Sequence, residues 1–482
     1  MVIPILLFLS VLVVFRKCQS YEYLIDDMEL NMRTKDTKTL NWVHNFWLHL
    51  RGYILKDKEL SHSLNIIIHG LVCSLIYVVF GKNNVSLLAA ILFAFNPVNT
   101  QVVCWISGKG YATSVLLLLV GMLVKEAFPL FYLGSLICSI NTVFAPLVFV
   151  IEKPHYWVLL LLLIPFMAKR QYDGLKQRMT TVTPFMSNIT WKRLIIVFKT
   201  YGYYFIHCLF PLKISMCHSY LHTYGIDKES TEKWYKLDKY LITGIILAGV
   251  AIYSLFNRTG MYLGFLWFTI FIAQWLNFIY TNHPITERYI YLANVGLMFM
   301  LAKILSVLPY GNYLALAFLI FYLTRLWYVM EQYKDLVTFW KTNAENFSDV
   351  ALTYNQWGIM LSNQGKIGTS VDVMTEGLKK SPEDFRLNYN LANIMASMGD
   401  PNVGLHHAEK ALKNVHKNSP NMVEMWRNHC NLVKENCIRR GAKVVITTEN
   451  IVSAGVSPAL EDGGKRAEVG KEIPAPVPVS PI

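Results

Sequence analysis

Apolar residues in this chain gather in runs rather than at the spacing of one half-buried surface. Eleven runs, some of them short, fall at residues 2–15, 63–80, 85–96, 112–124, 127–138, 143–151, 156–168, 240–256, 261–280, 290–308 and 311–330. A straight helix needs about 20 apolar residues to cross a bilayer. Several runs must therefore borrow polar flanks or bury short helices against neighbours. No small-residue cleavage site follows the first run, so it reads as a span rather than the core of a signal peptide. The expected fold is all-α: a polytopic membrane domain of about 11 spans, then a soluble helical part. An odd span count puts the termini on opposite sides. Lys82, Lys125, Lys153 and Arg258 in the shortest loops then share the cytoplasmic side, in line with the positive-inside rule, while Arg16 and Lys17 run against it. Sequons stand at Asn84, Asn188 and Asn346, and the last two would face outward.

The polar stretches divide the chain. Residues 1–168 form a first membrane half with an outer loop at 16–62, and 169–238 a large outer loop with an amphipathic stretch from Trp191 to Phe210. Residues 239–330 form the second membrane half, 331–438 a soluble helical domain, and 439–482 a disordered tail ending in a Pro/Val run. The soluble domain repeats itself. A shift of 34 residues lays Trp357 on Leu391, Gly358 on Ala392, Leu361 on Met395, Gly365 on Gly399, Ser370 on Gly404, Met374 on Ala408, Gly377 on Ala411 and Leu378 on Leu412. Small residues recur where two helices must approach closely, and Pro382 closes the first unit. This is the tetratricopeptide pattern of large and small positions. Two units are clear, and a third falls around Met422 to Val433. Such repeats most often bind a protein partner.

Composition sharpens this picture. The 482 residues are 54% hydrophobic and 16% charged, against about 25% charged in soluble domains. Mean hydropathy is +0.33. A single soluble domain and a disordered chain are both excluded on these grounds. The net charge of +13 suits anionic lipid or an acidic substrate and does not call for nucleic acid. Eight cysteines are scattered with no CxxC and no zinc spacing, which argues against a disulfide or metal framework.

Four polar groups stand where a membrane domain tolerates few. His62, Asn65 and His69 lie within about 60° of one another on a helix. They serve either interhelical hydrogen bonding or a ligand cavity. A shared metal is disfavoured, because the two histidines sit about 10 Å apart along the axis. Asp26 and Asp27 follow the first span. They read as a solvated acidic turn, or as a base and its positioning partner. Asn96 to Lys109, which includes Asn99 and Gln101, gathers amides, hydroxyls and a lysine at one membrane face, as a capped turn or as part of a site. Glu287, Arg288, Tyr289 and Tyr291 open the tenth run, as an aromatic belt or an anion site.

In this order the motifs resemble those of the transmembrane and tetratricopeptide repeat-containing proteins and their bacterial relatives with GT-C-type glycosyltransferase domains. The resemblance spans about residues 21–412: the Asp pair, His-x-x-Asn-x-x-x-His at 62–69, FAFNPVNTQ at 93–101, WISGK at 105–109, the Phe-Pro-Leu turn at 210–212, ERYIYL at 287–292, and the repeats. It implies a membrane enzyme that passes a sugar from a polyprenyl-phosphate carrier to a protein hydroxyl on the non-cytoplasmic side of a bacterial inner membrane or the endoplasmic reticulum. The family's acidic pair maps onto Asp26 and Asp27, with Asp27 favoured as the base. Its stripe maps onto His62, Asn65 and His69, and its acid-Arg-Tyr segment onto Glu287, Arg288 and Tyr289. Asn99, Gln101, Lys109 and Arg288 fall where substrate would bind, and no metal or other cofactor is expected.

The departures from the family concentrate in one segment. The family usually reads His-Pro-x-His-x-Glu where this chain has Asn96-Pro97-Val98-Asn99-Thr100-Gln101, and Arg where Lys109 stands. A lysine usual before the sixth span is replaced near Ser139. Losing an acid and two imidazoles favours a second reading, a non-catalytic membrane scaffold whose repeats recruit a protein. A transporter of lipid-linked or small substrates is a third.

Overall fold

The computed structural model describes residues 2–25, 27, 57–149, 191–218, 235–257, 260–278, 285–415 and 420–442. Asp26, Lys153, Arg258, the run at 156–168, the sequon at Asn188 and the tail beyond 442 lie outside the described residues. Every regular element among the described residues is helical. Those residues fall into two units: Cys217, His218 and the chain from Trp340 onward form one, and the rest form the other.

The first unit holds the apolar helices: α1 (Val2–Phe15), α2 (Lys58–Val79), α3 (Asn84–Phe95), α4 (Thr100–Cys104), α5 (Lys109–Leu123), α6 (Phe128–Cys138), α7 (Ala145–Phe149), α8 (Lys192–Leu209), α9 (Lys239–Phe256), α10 (Gly260–Ile272), α11 (Tyr291–Val307) and α12 (Gly311–Glu331). Among the described residues, five stretches are long and apolar enough to cross a membrane: Val2–Ser20, Lys58–Val79, Ile106–Leu123, Lys239–Phe256 and Gly311–Glu331. A sixth results if α3 and the bent Pro97–Cys104 piece, 54° apart, count together. Other runs counted in the sequence form helices below spanning length, such as the 11-residue α6 and the 17-residue α11.

Local chemistry sets where the helices start. Asp57 accepts from the Leu60 amide at the head of α2. Asn83 and Ser86 close a capping box on α3. Asp238 takes the amides of Tyr240 and Leu241 at the head of α9. Each cap satisfies amides that have no partner within the helix. The middle of the unit is α11, buried on nearly every side from Tyr291 to Leu305, as a helix apolar all round should be. At the rim, α1, α9 and α12 turn apolar side chains outward, among them Val13, Ile246 and Leu316.

The stretch from Trp191 to Phe210, read as an amphipathic part of a loop, folds as α8 and packs closely on α9. A Cβ at Gly202 would run into the Tyr240 carbonyl, and one at Gly244 into that of Phe198. Two glycines facing each other let the backbones meet, as small residues do in membrane helix pairs.

The second unit contains α14 (Ala351–Asn363), α15 (Ile367–Lys380), α16 (Phe385–Met398), α17 (Pro401–Asn414) and α18 (Pro420–Arg439), with α13 (Leu336–Asn346) leading into it. Consecutive helices run antiparallel. Gly377 meets Tyr354 while Gly358 meets Met374. The Ser370 hydroxyl donates to the Gly358 carbonyl at 2.7 Å. A Cβ at Gly404 would lie 3.2 Å from the Ala392 carbonyl. The Ser370–Gly358 approach therefore recurs at Gly404–Ala392, at the 34-residue shift read from the sequence. Asp384 and Asp400 cap α16 and α17. Trp426 on α18 packs edge-on against Phe385 and Tyr389.

Candidate functional site

The site grows from a break in the backbone. Proline at 97 cannot continue α3, and the Asn96 side chain accepts the Val98 amide at 3.1 Å. Residues 97–99 then form a tight turn, α4 runs for five residues, and a second turn at Ile106–Gly108 leads into α5. Gly108 is obligatory here, because a Cβ would sit 2.7 Å from both the α-carbon and the carbonyl of Val102. Asn96, Asn99, Thr100 and Gln101 are all fully buried, so the segment must satisfy its polar groups internally. Asn96 donates to the Cys208 carbonyl at 2.9 Å. Asn99 donates to the Phe93 carbonyl at 2.6 Å and accepts from Asn294 at 3.4 Å.

The predicted stripe on α2 faces this segment. Asn65 donates to the Trp105 carbonyl at 2.8 Å, with the Val102 carbonyl at 3.3 Å. It thereby serves carbonyls left open at the end of α4. His69 lies 3.1 Å from the Ala94 carbonyl through Nε2 and 2.7 Å from the Tyr291 hydroxyl through Nδ1. A carbonyl can only accept, so in a neutral ring Nε2 carries the proton and Nδ1 accepts from the phenol. His62 is different: its ring is buried beside the Tyr21 backbone, and neither nitrogen makes a hydrogen bond of good geometry among the described residues. Its nearest aromatic neighbour is Tyr21, edge to face at 6.4 Å.

Asp27 joins the same segment from the other side. One carboxylate oxygen accepts from the Ser107 amide at 2.9 Å and from the Ser107 hydroxyl at 2.5 Å. The other accepts from the Leu24 amide at 3.2 Å. These bonds hold both oxygens of the Asp27 carboxylate, while Asp26 lies outside the described residues. Nearby, burial, with the Asp27 and Asp57 charges adding to it, pushes the Tyr23 phenol above its ordinary range.

The acid-Arg-Tyr turn completes the arrangement. Gln101 accepts from the Thr286 hydroxyl and from the Arg288 amide, both at 2.8 Å. The Arg288 guanidinium lies over the Trp105 ring at 5.3 Å and over its neighbour Tyr289 at 5.5 Å. Such stacking contributes about 0.5–2 kcal/mol. Tyr289 stacks on Trp275 at 3.7 Å between ring centres. Asn141 donates to the Arg288 carbonyl at 3.4 Å, and Gln274 donates to the Asn141 carbonyl at 2.9 Å. Glu287 points away, accepting from His207 at 3.1 Å and from the Ser215 amide at 3.3 Å. Lys109 opens α5, half-buried.

The structure thus gathers Asp27, Asn65, Asn99, Gln101, Arg288 and Tyr289 on or against one broken segment, with His69 beside it. Buried polar atoms remain without hydrogen-bond partners among the described residues at Gln101 Nε2, at Trp105 Nε1, at Asn141 Oδ1 and at Trp275 Nε1. Unmet buried donors each cost about 1–3 kcal/mol, and a polar ligand would offset that cost. Sequence reasoning did not single out Ser107, Thr286, Trp275, Asn141 or His207 as site residues. Ser107 and Trp105 stood inside a quoted motif; the others carry no local signal, because their partners lie far away in the chain.

No family model, no curated protein and no solved structure matches this chain. Fold and site define a broad class only: a protein whose described residues are all-helical, with five or six helices among them able to cross a membrane, and with a buried polar break.

Proposed function

We propose that this chain is an integral membrane glycosyltransferase of the GT-C type, belonging with the transmembrane and tetratricopeptide repeat-containing proteins that its motifs resemble. It moves a sugar from a polyprenyl-phosphate donor to a protein hydroxyl on the non-cytoplasmic face, using about eleven spans and a short tetratricopeptide domain. The observation that carries this reading is the shared frame. Ser107 holds Asp27 while Gln101 and Trp105 hold Arg288, six residues or fewer apart on one segment. An acidic pair anchored through Asp27 and a guanidinium on a common support suit an acceptor hydroxyl and a donor phosphate. Arg288 and Lys109 take the phosphate, His62 and the unmet Gln101 and Trp105 donors face the sugar, and Asp26 accepts the proton beside the anchored Asp27.

The family's missing acid bears on this directly. Gln101 accepts two hydrogen bonds with the one oxygen a carboxylate would also have used. The amide therefore keeps the acceptor and adds an unmet donor. Asn96 and Asn99, standing where imidazoles are usual, spend their polar groups on backbone and on Asn294. The change alters the lining of the site more than its scaffold.

Purified protein with a panel of polyprenyl monophosphate sugars and an acceptor peptide tests the reading. Transfer by the wild type, lost in Asp26→Asn, supports it. Normal transfer by Asp26→Asn and Asp27→Asn together sinks it. A second reading, a non-catalytic scaffold, draws on the 34-residue recurrence of helix pairs between Ala351 and Asn414. It expects partner binding through the repeats and no transfer with any donor.

A further inference from the structure

We propose that Cys18 and Cys104 form a disulfide that staples the end of α1 to the broken segment. Their sulfur atoms lie 2.9 Å apart, and both residues are fully buried. Two sulfurs that are merely packed stay farther apart than this, and a covalent bond at about 2.05 Å needs a closure of under one ångström. Both residues sit on fixed backbone. Cys18 lies in the tight turn Arg16–Ser20, whose carbonyl takes the Tyr21 amide at 3.2 Å, and Cys104 ends α4. Cys430 and Cys437, by contrast, stand seven residues apart on one helix, about 10 Å along its axis, and cannot pair.

The bond forms by exchange with a disulfide-bearing thiol oxidant. One thiolate attacks the oxidant's disulfide and gives a mixed disulfide. The second thiolate displaces the oxidant's remaining sulfur. Two electrons and two protons pass to the oxidant, which leaves as a dithiol. Burial of both sulfurs places this exchange during folding, before the segment closes over them. The staple joins residues 86 apart in sequence, so it removes much freedom from the unfolded chain. It also ties together the two strands of chain that meet at Asp27 and Ser107, since α1 leads to the first and α4 to the second.

Thiol counting on the full-length protein tests this. Membranes are lysed in an alkylating reagent, and the protein is then denatured and alkylated with and without reductant. Six of the eight cysteines should be modified without reductant and all eight after it, with a reductant-sensitive peptide pair carrying Cys18 and Cys104. In Cys18→Ser or Cys104→Ser, all remaining cysteines should react without reductant; in Cys73→Ser, the linked pair should persist. Eight reactive cysteines in the unreduced wild type, or a linked pair other than these two, would overturn the proposal. Because the count is made on denatured chains, a folding defect in a variant does not obscure it.

Discussion

The broken segment around Gln101 and the helix pairs between Ala351 and Asn414 solve one problem in opposite ways. Both bury polar side chains among helices. In the pairs, contacts are short-range and recur: Ser370 reaches Gly358, and 34 residues on, Gly404 approaches Ala392. Caps there come from aspartates next to the helices they serve. In the broken segment the partners come from far away: Asp27 bonds a residue 80 positions on, and Gln101 one 187 positions on. Long-range closure leaves several buried atoms unmet. Local contacts leave the pairs self-contained, and distant assembly leaves buried polar atoms at the break without hydrogen-bond partners among the described residues.

Breaking the segment should have the largest effect. A side chain at Gly108 must displace Val102 backbone rather than a flexible tip. Gly108→Val should cost more than about 3 kcal/mol and leave little folded protein, scored by size-exclusion recovery from detergent. A wild-type yield would show that the close approach is not required. Asp27→Ala comes next. It strands the half-buried Ser107 amide and hydroxyl and should cost about 1–2 kcal/mol, measured as a lowered thermal midpoint. Asp27→Asn keeps an acceptor for Ser107 and should lose about half of that.

On the repeat side, Gly377→Leu pushes into Tyr354 and Leu387 and should cost about 1–3 kcal/mol without altering donor binding. If it abolished donor binding, the division of labour drawn here would fail. Arg288→Ala should do the reverse, weakening a phosphate-bearing donor about tenfold or more with little change in stability. Binding of lipid-linked sugar, measured apart from transfer, separates the two.

The smallest expected effect is a pH dependence. Burial, with His406 and Lys410 adding, lowers the His407 imidazole from 6.5 to about 4. Neutral in the folded state, its Nδ1–H donates to the Asn388 amide oxygen across 2.8 Å. Between those two values the unfolded chain binds the extra proton. Stability is therefore fully present above about pH 6.5 and falls as pH drops toward 4, on the order of 1 kcal/mol once solvent access is allowed for. His407→Gln should flatten that slope in an acid titration of unfolding.

What the sequence revealed follows the same division. The helices of the second unit were legible because their signal, small residues such as Gly358, Gly377 and Gly404 at close approaches, is local. The apolar runs were legible as helices, but not their lengths, which depend on where Asn96-Pro97 and similar breaks fall. The stripe His62, Asn65 and His69 was visible from its spacing. That Asn65 and His69 would be used up by Trp105, Ala94 and Tyr291 while His62 lay beside Tyr21 was not visible, because those partners come from other parts of the chain. His207 beside Glu287, and Trp275 stacked on Tyr289, were missed for the same reason. The Cys18–Cys104 contact was hidden by its 86-residue separation.

The most direct test of the proposed chemistry is sugar transfer by the purified full-length protein from polyprenyl monophosphate donors to a hydroxyl-bearing peptide, run beside Asp26→Asn and Arg288→Ala. Transfer by the wild type, its loss in Asp26→Asn with donor binding intact, and weakened donor binding in Arg288→Ala are the expected results. Transfer unaffected by either substitution, or no transfer with any donor while the repeats capture a partner, would contradict the account.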